Sequence, residues 1–169
     1  MLSNDSTSVS VDAMHGGRLS SLRIRDTEVL LTQGPDDTTL TWGCYPMVPY
    51  AGRVRSGVVR FNSLDYQLPL TLPPHAAHGT AFAQSWTVVD TSSSSIELFT
   101  DLGSQWPFGG SVSHRIELRN DHVRLELSVT AGDHAMPAQI GWHPWFRKPS
   151  HASLIFESML QRDGHGIAT

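Results

Sequence analysis

The sequence is poor in the features that define several large protein classes. Its 169 residues include one cysteine, Cys44, which excludes an intrachain disulfide framework. No run approaches the ~18 consecutive apolar residues that a transmembrane helix needs. Charged residues make up 17% of the chain and the net charge is −4, so there is no basic surface of the kind that binds nucleic acid. The polar N-terminus lacks the layout of a signal peptide, and we therefore expect a cytoplasmic protein without membrane or nucleic-acid partners.

Common catalytic motifs are also missing. The chain has no Gly-x-Ser-x-Gly elbow, no Gly-x-Gly-x-x-Gly fingerprint and no Walker loop, so neither a serine hydrolase nor a nucleotide cofactor is indicated. Cys44 has no neighbouring base, and we expect a small buried hydrophobic residue rather than a nucleophile. His75 and His78 stand three residues apart in a polar loop, but no third ligand completes a zinc spacing. The sequence therefore predicts no metal site.

Helical periodicity is absent as well, whereas short alternating runs recur along the whole chain. The clearest are residues 113–118 and 122–129, whose charged side chains indicate a solvated face and whose aliphatic side chains indicate a buried one. A hairpin is indicated around residues 58–68 and a last strand at 152–156. Many short strands at roughly 8–12-residue spacing predict an all-β sandwich or barrel. We expect one domain over residues 1–169, with the Ser/Thr/Asn/Asp-rich residues 1–8 loose.

One histidine, His143, lies in an aromatic segment, Gln-Ile-Gly-Trp-His-Pro-Trp-Phe-Arg, at residues 139–147. Imidazole is the side chain whose unperturbed pKa, roughly 6.5, lies near neutral pH, so a histidine among aromatic faces has the chemistry of a proton donor or acceptor in a sugar-sized pocket. The alternative is a structural histidine packed between aromatic rings. The segment alone leaves both readings open.

Three further residues have the same character as His143. Arg53, His78 and Trp106 stand in segments rich in glycine, proline and aromatic residues. Arginine and histidine donate hydrogen bonds to hydroxyl-rich ligands, and aromatic rings pack on the apolar face of a pyranose. Together these residues predict a carbohydrate site, although Arg53 alone would equally suit a surface ion pair.

Four segments carry a more specific pattern, in a fixed order. Residues 16–22 read Gly-Gly-Arg-Leu-Ser-Ser-Leu, residues 45–57 begin Tyr-Pro-Met-Val-Pro-Tyr-Ala-Gly-Arg-Val, residues 78–79 are His-Gly, and residues 141–146 are Gly-Trp-His-Pro-Trp-Phe. The second resembles the Tyr-Pro-x-x-Pro-Tyr-x-Asn-Arg-Ile segment, and the last resembles the Asn-x-His-x-Tyr-Phe motif, of the aldose 1-epimerase (galactose mutarotase) family. The other two resemble the start and the His-Gly loop of the same family. Each motif is weak alone, but four in order are fairly specific.

The resemblance implies a fold and a reaction. The fold would be a large antiparallel β-sandwich of the galactose mutarotase type with a concave sugar-binding face, and this chain would be its N-terminal part. The reaction would interconvert the α and β anomers of a free hexose without a cofactor. By resemblance, His143 is the general acid that protonates the ring oxygen, while Arg53, His78 and Trp145 bind the sugar.

The sequence also departs from the family pattern. The family's base is a glutamate near its C-terminus, preceded by an aspartate that contacts the sugar, and both positions would fall after Thr169. We therefore expect the domain to be incomplete at its C-terminus. Glu157 is the only glutamate after His143 and does not stand in the base motif. Gly52 and Gly141 replace family asparagines, which removes two hydrogen-bonding side chains from the site.

Several accounts of this departure stay open. The chain is either a fragment of a longer enzyme, a shorter product that assembles with another copy, or a non-catalytic carbohydrate-binding module. A hexose-6-phosphate epimerase is a further alternative, because Arg53, Arg55 and Arg147 could hold a phosphate. Exposed strand edges and apolar faces in an incomplete domain would favour self-association.

Overall fold

The protein is built from antiparallel β-structure, as the sequence predicts. The computed structural model describes residues 1–169 and contains fourteen β-strands, two three-residue 3-10 helices and no α-helix. The strands are β1 (Leu2–Ser3), β2 (Thr7–Asp12), β3 (Arg18–Ile24), β4 (Thr27–Glu28), β5 (Cys44–Met47), β6 (Arg53–Val54), β7 (Val58–Phe61), β8 (Leu64–Gln67), β9 (Ala76–Ala77), β10 (Thr87–Thr91), β11 (Ser95–Asp101), β12 (Ser111–Leu118), β13 (Val123–Thr130) and β14 (Gly141–Pro144). The 3-10 helices are Arg55–Gly57 and Ala81–Ala83. Neither helix has the length and apolar character to cross a membrane.

Two main sheets share one hydrophobic core. The larger sheet has the order β1-β2-β3-β5-β14, with β4 paired to β3, and the second sheet has the order β10-β11-β12-β13. Two small ladders, β6-β9 and β7-β8, lie outside these sheets. A cluster of 18 buried residues draws on both main sheets, including Val9 and Leu19 from the first and Leu98 and Ile116 from the second. Burial of these apolar side chains is the main contribution to the stability of the fold.

The alternating strands behave as their sequences predict. In β12, Val112, His114, Ile116 and Leu118 are buried, while Ser113, Arg115 and Glu117 between them are partly exposed. The predicted hairpin forms between β7 and β8, with Val58 opposite Gln67. Its two-residue turn is tighter than the pattern suggested, because β8 already begins at Leu64.

A histidine occupies a core position in β12. The His114 side chain is fully buried, with its Nδ1 2.9 Å from the Gly17 carbonyl oxygen and its Nε2 accepting a hydrogen bond from Trp142 Nε1 at 3.2 Å. The Gly17 contact requires a proton on Nδ1 and the Trp142 contact requires none on Nε2, so the ring is neutral. Burial lowers the pKa of His114 to about 4.

This buried imidazole predicts an acid-sensitive fold. Between the ordinary pKa of 6.5 and about 4, the unfolded chain binds a proton at residue 114 that the folded chain excludes. The free energy of unfolding should therefore fall as the pH drops through this window, by on the order of 3 kcal/mol from this group. Urea unfolding across the window measures it. A His114→Phe variant, which fills the site but cannot take a proton, should show a shallower dependence, and an equal slope in both proteins would contradict the assignment.

Two expectations about the chain ends are wrong. Residues 1–8 are not loose: Leu2 is 2% exposed, and β1 pairs with β2 so that Leu2 faces Val9. The polar composition of residues 1–8 predicted a loose segment, but these polar side chains form a turn. The Asn4 side chain accepts hydrogen bonds from the Ser6 and Thr7 backbone N–H groups and so stabilises the turn between the two strands. Residues 152–156 form no strand, because this segment is exposed and has no pairing partner.

The exposed segment after β14 bears on self-association. Five large apolar side chains in it are 58–100% exposed: Leu154, Ile155, Phe156, Met159 and Leu160. Exposed apolar groups at this density are typical of contact surfaces. Self-association stays a prediction, and light scattering would test it.

Candidate active site

The aromatic segment around His143 is an edge strand of the larger sheet. Strand β14 pairs only with β5, and His143 lies directly opposite Tyr45 in that ladder. Cross-strand neighbours project from the same face of a sheet. The His143 imidazole accordingly stacks on the Tyr45 ring, with the centroids 5.0 Å apart and the planes inclined by 8°. The sheet therefore fixes the orientation of His143.

His78 reaches the same place from a loop with unusual backbone geometry. His78 has a φ of 62° and Gly79 a φ of 86°, so two successive residues are left-handed. The His78 N–H donates to the Gly52 carbonyl at 2.9 Å, and Gly79 lies directly against the Val48 backbone. This turn brings the His78 ring to 5.0 Å from His143 in an edge-to-face arrangement.

A cleft of about 680 Å³ opens beside the two histidines, a size that suits a monosaccharide. Its walls combine polar and small apolar groups: Met47, Ala51, Gly52, Arg53, His78, Gln139, His143, Leu160, Arg162, Gly166 and Ala168. Two arginines and two histidines line it, and no aspartate or glutamate does. The cleft can therefore donate many hydrogen bonds but offers no carboxylate.

Burial favours the neutral form of both cleft histidines. The pKa of His78 is lowered to about 4, mainly by burial and further by the nearby His143 and Arg53. Burial also lowers the pKa of His143. The Nδ1 atoms of both rings are buried without a hydrogen-bond partner. A lowered pKa makes the protonated form of His143 a stronger acid, while it reduces the fraction protonated at pH 7.

Arg53 lines the cleft and makes no ion pair. Its guanidinium donates to the His165 carbonyl, whereas the neighbouring Arg55 pairs with Asp163 at 2.6 Å. The Asp163 carboxylate also accepts the backbone N–H groups of His165 and Ile167. These contacts hold residues 160–168 as one wall of the cleft, with Arg53 directed at it.

Trp145 supports His143 instead of forming a wall of the cleft. Its ring centroid lies 5.1 Å from that of His143, and its indole Nε1 donates to the Leu40 carbonyl at 2.8 Å. Trp106, in contrast, is 2% exposed, and its Nε1 contacts the Met136 sulfur at 3.2 Å. The expectation that Trp106 belongs to the site is wrong, because its ring packs in the core beside Tyr50.

Sequence reasoning missed several residues of the cleft. Gln139 stands four residues before His143, and the even spacing along an extended segment could have placed it on the same face. Arg162 had no such signal, because it reaches the cleft only through the turn at Asp163. The two loop histidines diverge: His75 Nδ1 accepts the Ser56 N–H at 3.1 Å. No group of three His, Cys, Asp or Glu side chains is arranged to hold a metal ion.

Known proteins resemble this chain in sequence. A family model described as Aldose 1-epimerase matches residues 1–168. Uncharacterized protein YphB of Escherichia coli (strain K12) is 32% identical over 126 residues, which are 72% of this chain and 43% of YphB. Uncharacterized protein YihR of the same organism is 21% identical over 136 residues, which are 77% of this chain and 44% of YihR.

Solved structures extend the likeness to three dimensions. One is the structure of an Escherichia coli K12 protein whose name gives aldose 1-epimerase as an unconfirmed activity. It superposes on this chain with a TM-score of 0.77 and 28% sequence identity, and the match covers 86% of this chain and 50% of the Escherichia coli chain. A galactose mutarotase related enzyme from Lactobacillus acidophilus gives a TM-score of 0.72 and 21% identity over 90% of this chain and 50% of its own. The fold is thus galactose mutarotase-like, and the chain spans less than half the length of the curated relatives that it matches.

Proposed function

The chain belongs to the aldose 1-epimerase family, and on that premise we propose that it forms the acid half of a mutarotase site for a free hexose. The observation that carries the proposal is the convergence of His143, His78 and Arg53 on one sugar-sized cleft. Three residues that are far apart in sequence meet there, and each matches a motif position of the family. A structural role for His143 would not require the other two to line the same cleft.

The chemistry of anomerisation assigns a task to each side chain. Opening the ring breaks the bond between C1 and the ring oxygen. The C1 hydroxyl gives up its proton to form the aldehyde, and the ring oxygen takes a proton to become a hydroxyl. His143 donates that second proton, while His78 and Arg53 hold the hydroxyls and the ring region. Rotation about the C1–C2 bond and reversal of the proton transfers then give the other anomer.

The base that takes the C1 proton is the missing part of this site. No carboxylate lines the cleft, and Glu157 lies in the exposed segment outside it. We propose that the base comes from the part of the family domain that this chain does not span.

Polarimetry tests the proposal. Freshly dissolved α-glucose and α-galactose would be followed with this chain alone and with a protein that carries the whole family domain. We expect acceleration over buffer from the whole domain and little from the chain alone. No acceleration by the whole domain with any common aldose would contradict a mutarotase function.

The lack of a carboxylate favours a second candidate, a carbohydrate-binding module without catalysis. Calorimetry separates the two, because a module would bind sugar without changing the rate of anomerisation. The pair Arg53 and Arg162 in a cleft without acidic groups is the observation that supports a further candidate substrate, a hexose-6-phosphate. Arg55 is engaged by Asp163 and Arg147 lies outside the cleft, so neither adds to that argument.

A further inference from the structure

Arg18, at the start of β3, has no exposed surface and no carboxylate partner. A buried charge is costly unless its N–H groups find acceptors. The guanidinium meets this requirement with four backbone carbonyls from three separate segments: His15, Thr39, Trp42 and Phe82. Burial lowers the pKa of Arg18 to about 10, so the side chain is charged at neutral pH.

Two aromatic rings complete the surroundings of this cation. The guanidinium carbon lies 4.2 Å from the Trp42 ring centroid and 5.1 Å from that of Tyr45. Both distances are within the range of cation–π attraction. Tyr45 is the ring on which His143 stacks. The Tyr45 ring therefore contacts both the Arg18 guanidinium and the His143 imidazole.

The loop before β5 provides a second connection to His143. Arg18 donates to the Thr39 and Trp42 carbonyls, at 2.8 and 2.9 Å, on either side of Leu40. The Leu40 carbonyl itself accepts the Trp145 indole N–H at 2.8 Å and the Tyr45 hydroxyl at 3.4 Å. Both of these rings contact His143, with centroid distances of 5.1 Å for Trp145 and 5.0 Å for Tyr45.

We propose that Arg18 is the positioning residue of His143: it fixes the loop carbonyl and the aromatic rings that hold the imidazole at the cleft. The cation is too far inside to touch a ligand, so its effect passes through Tyr45, Leu40 and Trp145. The catalytic significance of this arrangement rests on the proposed function, but the positioning itself does not.

Titration of the His143 imidazole by NMR tests the inference without any need for catalysis. Arg18→Lys keeps the charge but cannot reach carbonyls of three segments at once. The loop should loosen, water should reach the ring, and the pKa of His143 should rise toward its ordinary ~6.5. The neighbouring His78 and Arg53 side chains are unchanged in this variant, so the shift reports the surroundings that Arg18 maintains. An unshifted titration in folded Arg18→Lys would overturn the proposal.

Arg23→Lys is the matched control, because Arg23 lies on the same strand but is exposed. It should leave the titration unchanged, and a shift there equal to that in Arg18→Lys would count against a specific role. Should Arg18→Lys fail to fold, Trp145→Phe removes the N–H that binds the Leu40 carbonyl, together with part of the ring that packs against His143, and should move the His143 titration in the same direction. No shift in Trp145→Phe would also overturn the inference.

A double variant distinguishes an effect that passes through the loop containing Leu40 from a general loosening of the structure around His143. Because Arg18 and Trp145 are joined through one loop, the shift in Arg18→Lys/Trp145→Phe should be smaller than the sum of the single shifts. Additive shifts would contradict the route through Leu40. If the whole domain lacks mutarotase activity but these shifts occur, the proposed function fails while the positioning role stands.

Discussion

Replacing His143 with alanine is expected to lower the rate of anomerisation by about 10²–10⁴-fold in a protein that carries the whole family domain. The variant lacks the group that delivers a proton to the ring oxygen, and water cannot take its fixed position against Tyr45. His143 is only partly buried, so the loss of its ring should leave the fold intact. Polarimetry measures the rate, and circular dichroism checks the fold.

The control for this variant is His122→Ala, since His122 is exposed in the β12–β13 turn and its side chain hydrogen-bonds to Asp121 alone. It should anomerise sugar at the wild-type rate. Calorimetry on His143→Ala adds a second readout, because sugar binding through His78 and Arg53 should largely persist. Near-full activity in His143→Ala would reject the acid role, whereas lost binding with a proportional loss of rate would make His143 a ligand contact.

The second large effect is expected from Gly79→Ala. Gly79 has a φ of 86°, and a Cβ there would overlap the Val48 backbone. A left-handed alanine alone costs about 1–2 kcal/mol. The overlap is with backbone atoms that cannot rotate away, so we expect a total loss of at least about 4 kcal/mol in the free energy of unfolding, at the upper end for single substitutions. Urea unfolding measures this loss.

Gly109→Ala is the matched control. Gly109 has a φ of 67°, and a Cβ there would meet nothing within 4 Å. It shares the backbone strain of Gly79 but not the overlap, so its loss should stay near the ~1–2 kcal/mol of the strain alone. Equal losses in the two variants would show that the close approach to Val48 is not what requires glycine. A folded Gly79→Ala protein should also show a displaced His78 resonance.

Much of the local structure could be predicted because it depends on short-range pattern. The alternation in β12 places Val112, Ile116 and Leu118 on one face whatever the rest of the chain does. The same logic failed at residues 152–156, where an apolar run meets every local requirement for a strand but has no neighbour to pair with. Strand formation needs hydrogen bonds from another strand, which local sequence does not contain.

The cleft was predictable only in part. His143, His78 and Arg53 were identified through their motifs, and all three line the cleft. Trp106 had the same composition signals and turned out to be a core residue. Aromatic character is shared by cores and sugar sites, so composition does not separate them.

By itself, the sequence determined the all-β class, the main hairpins and the family, because strand periodicity and ordered motifs are carried by neighbouring residues. Only the tertiary structure decided which side chains meet. It joined β14 to β5, brought His78 to His143 through a left-handed turn, and placed Arg18 behind Tyr45. These contacts join segments tens of residues apart, and their geometry follows from sheet register and backbone conformation. A sequence pattern contains neither the sheet register nor the backbone conformation.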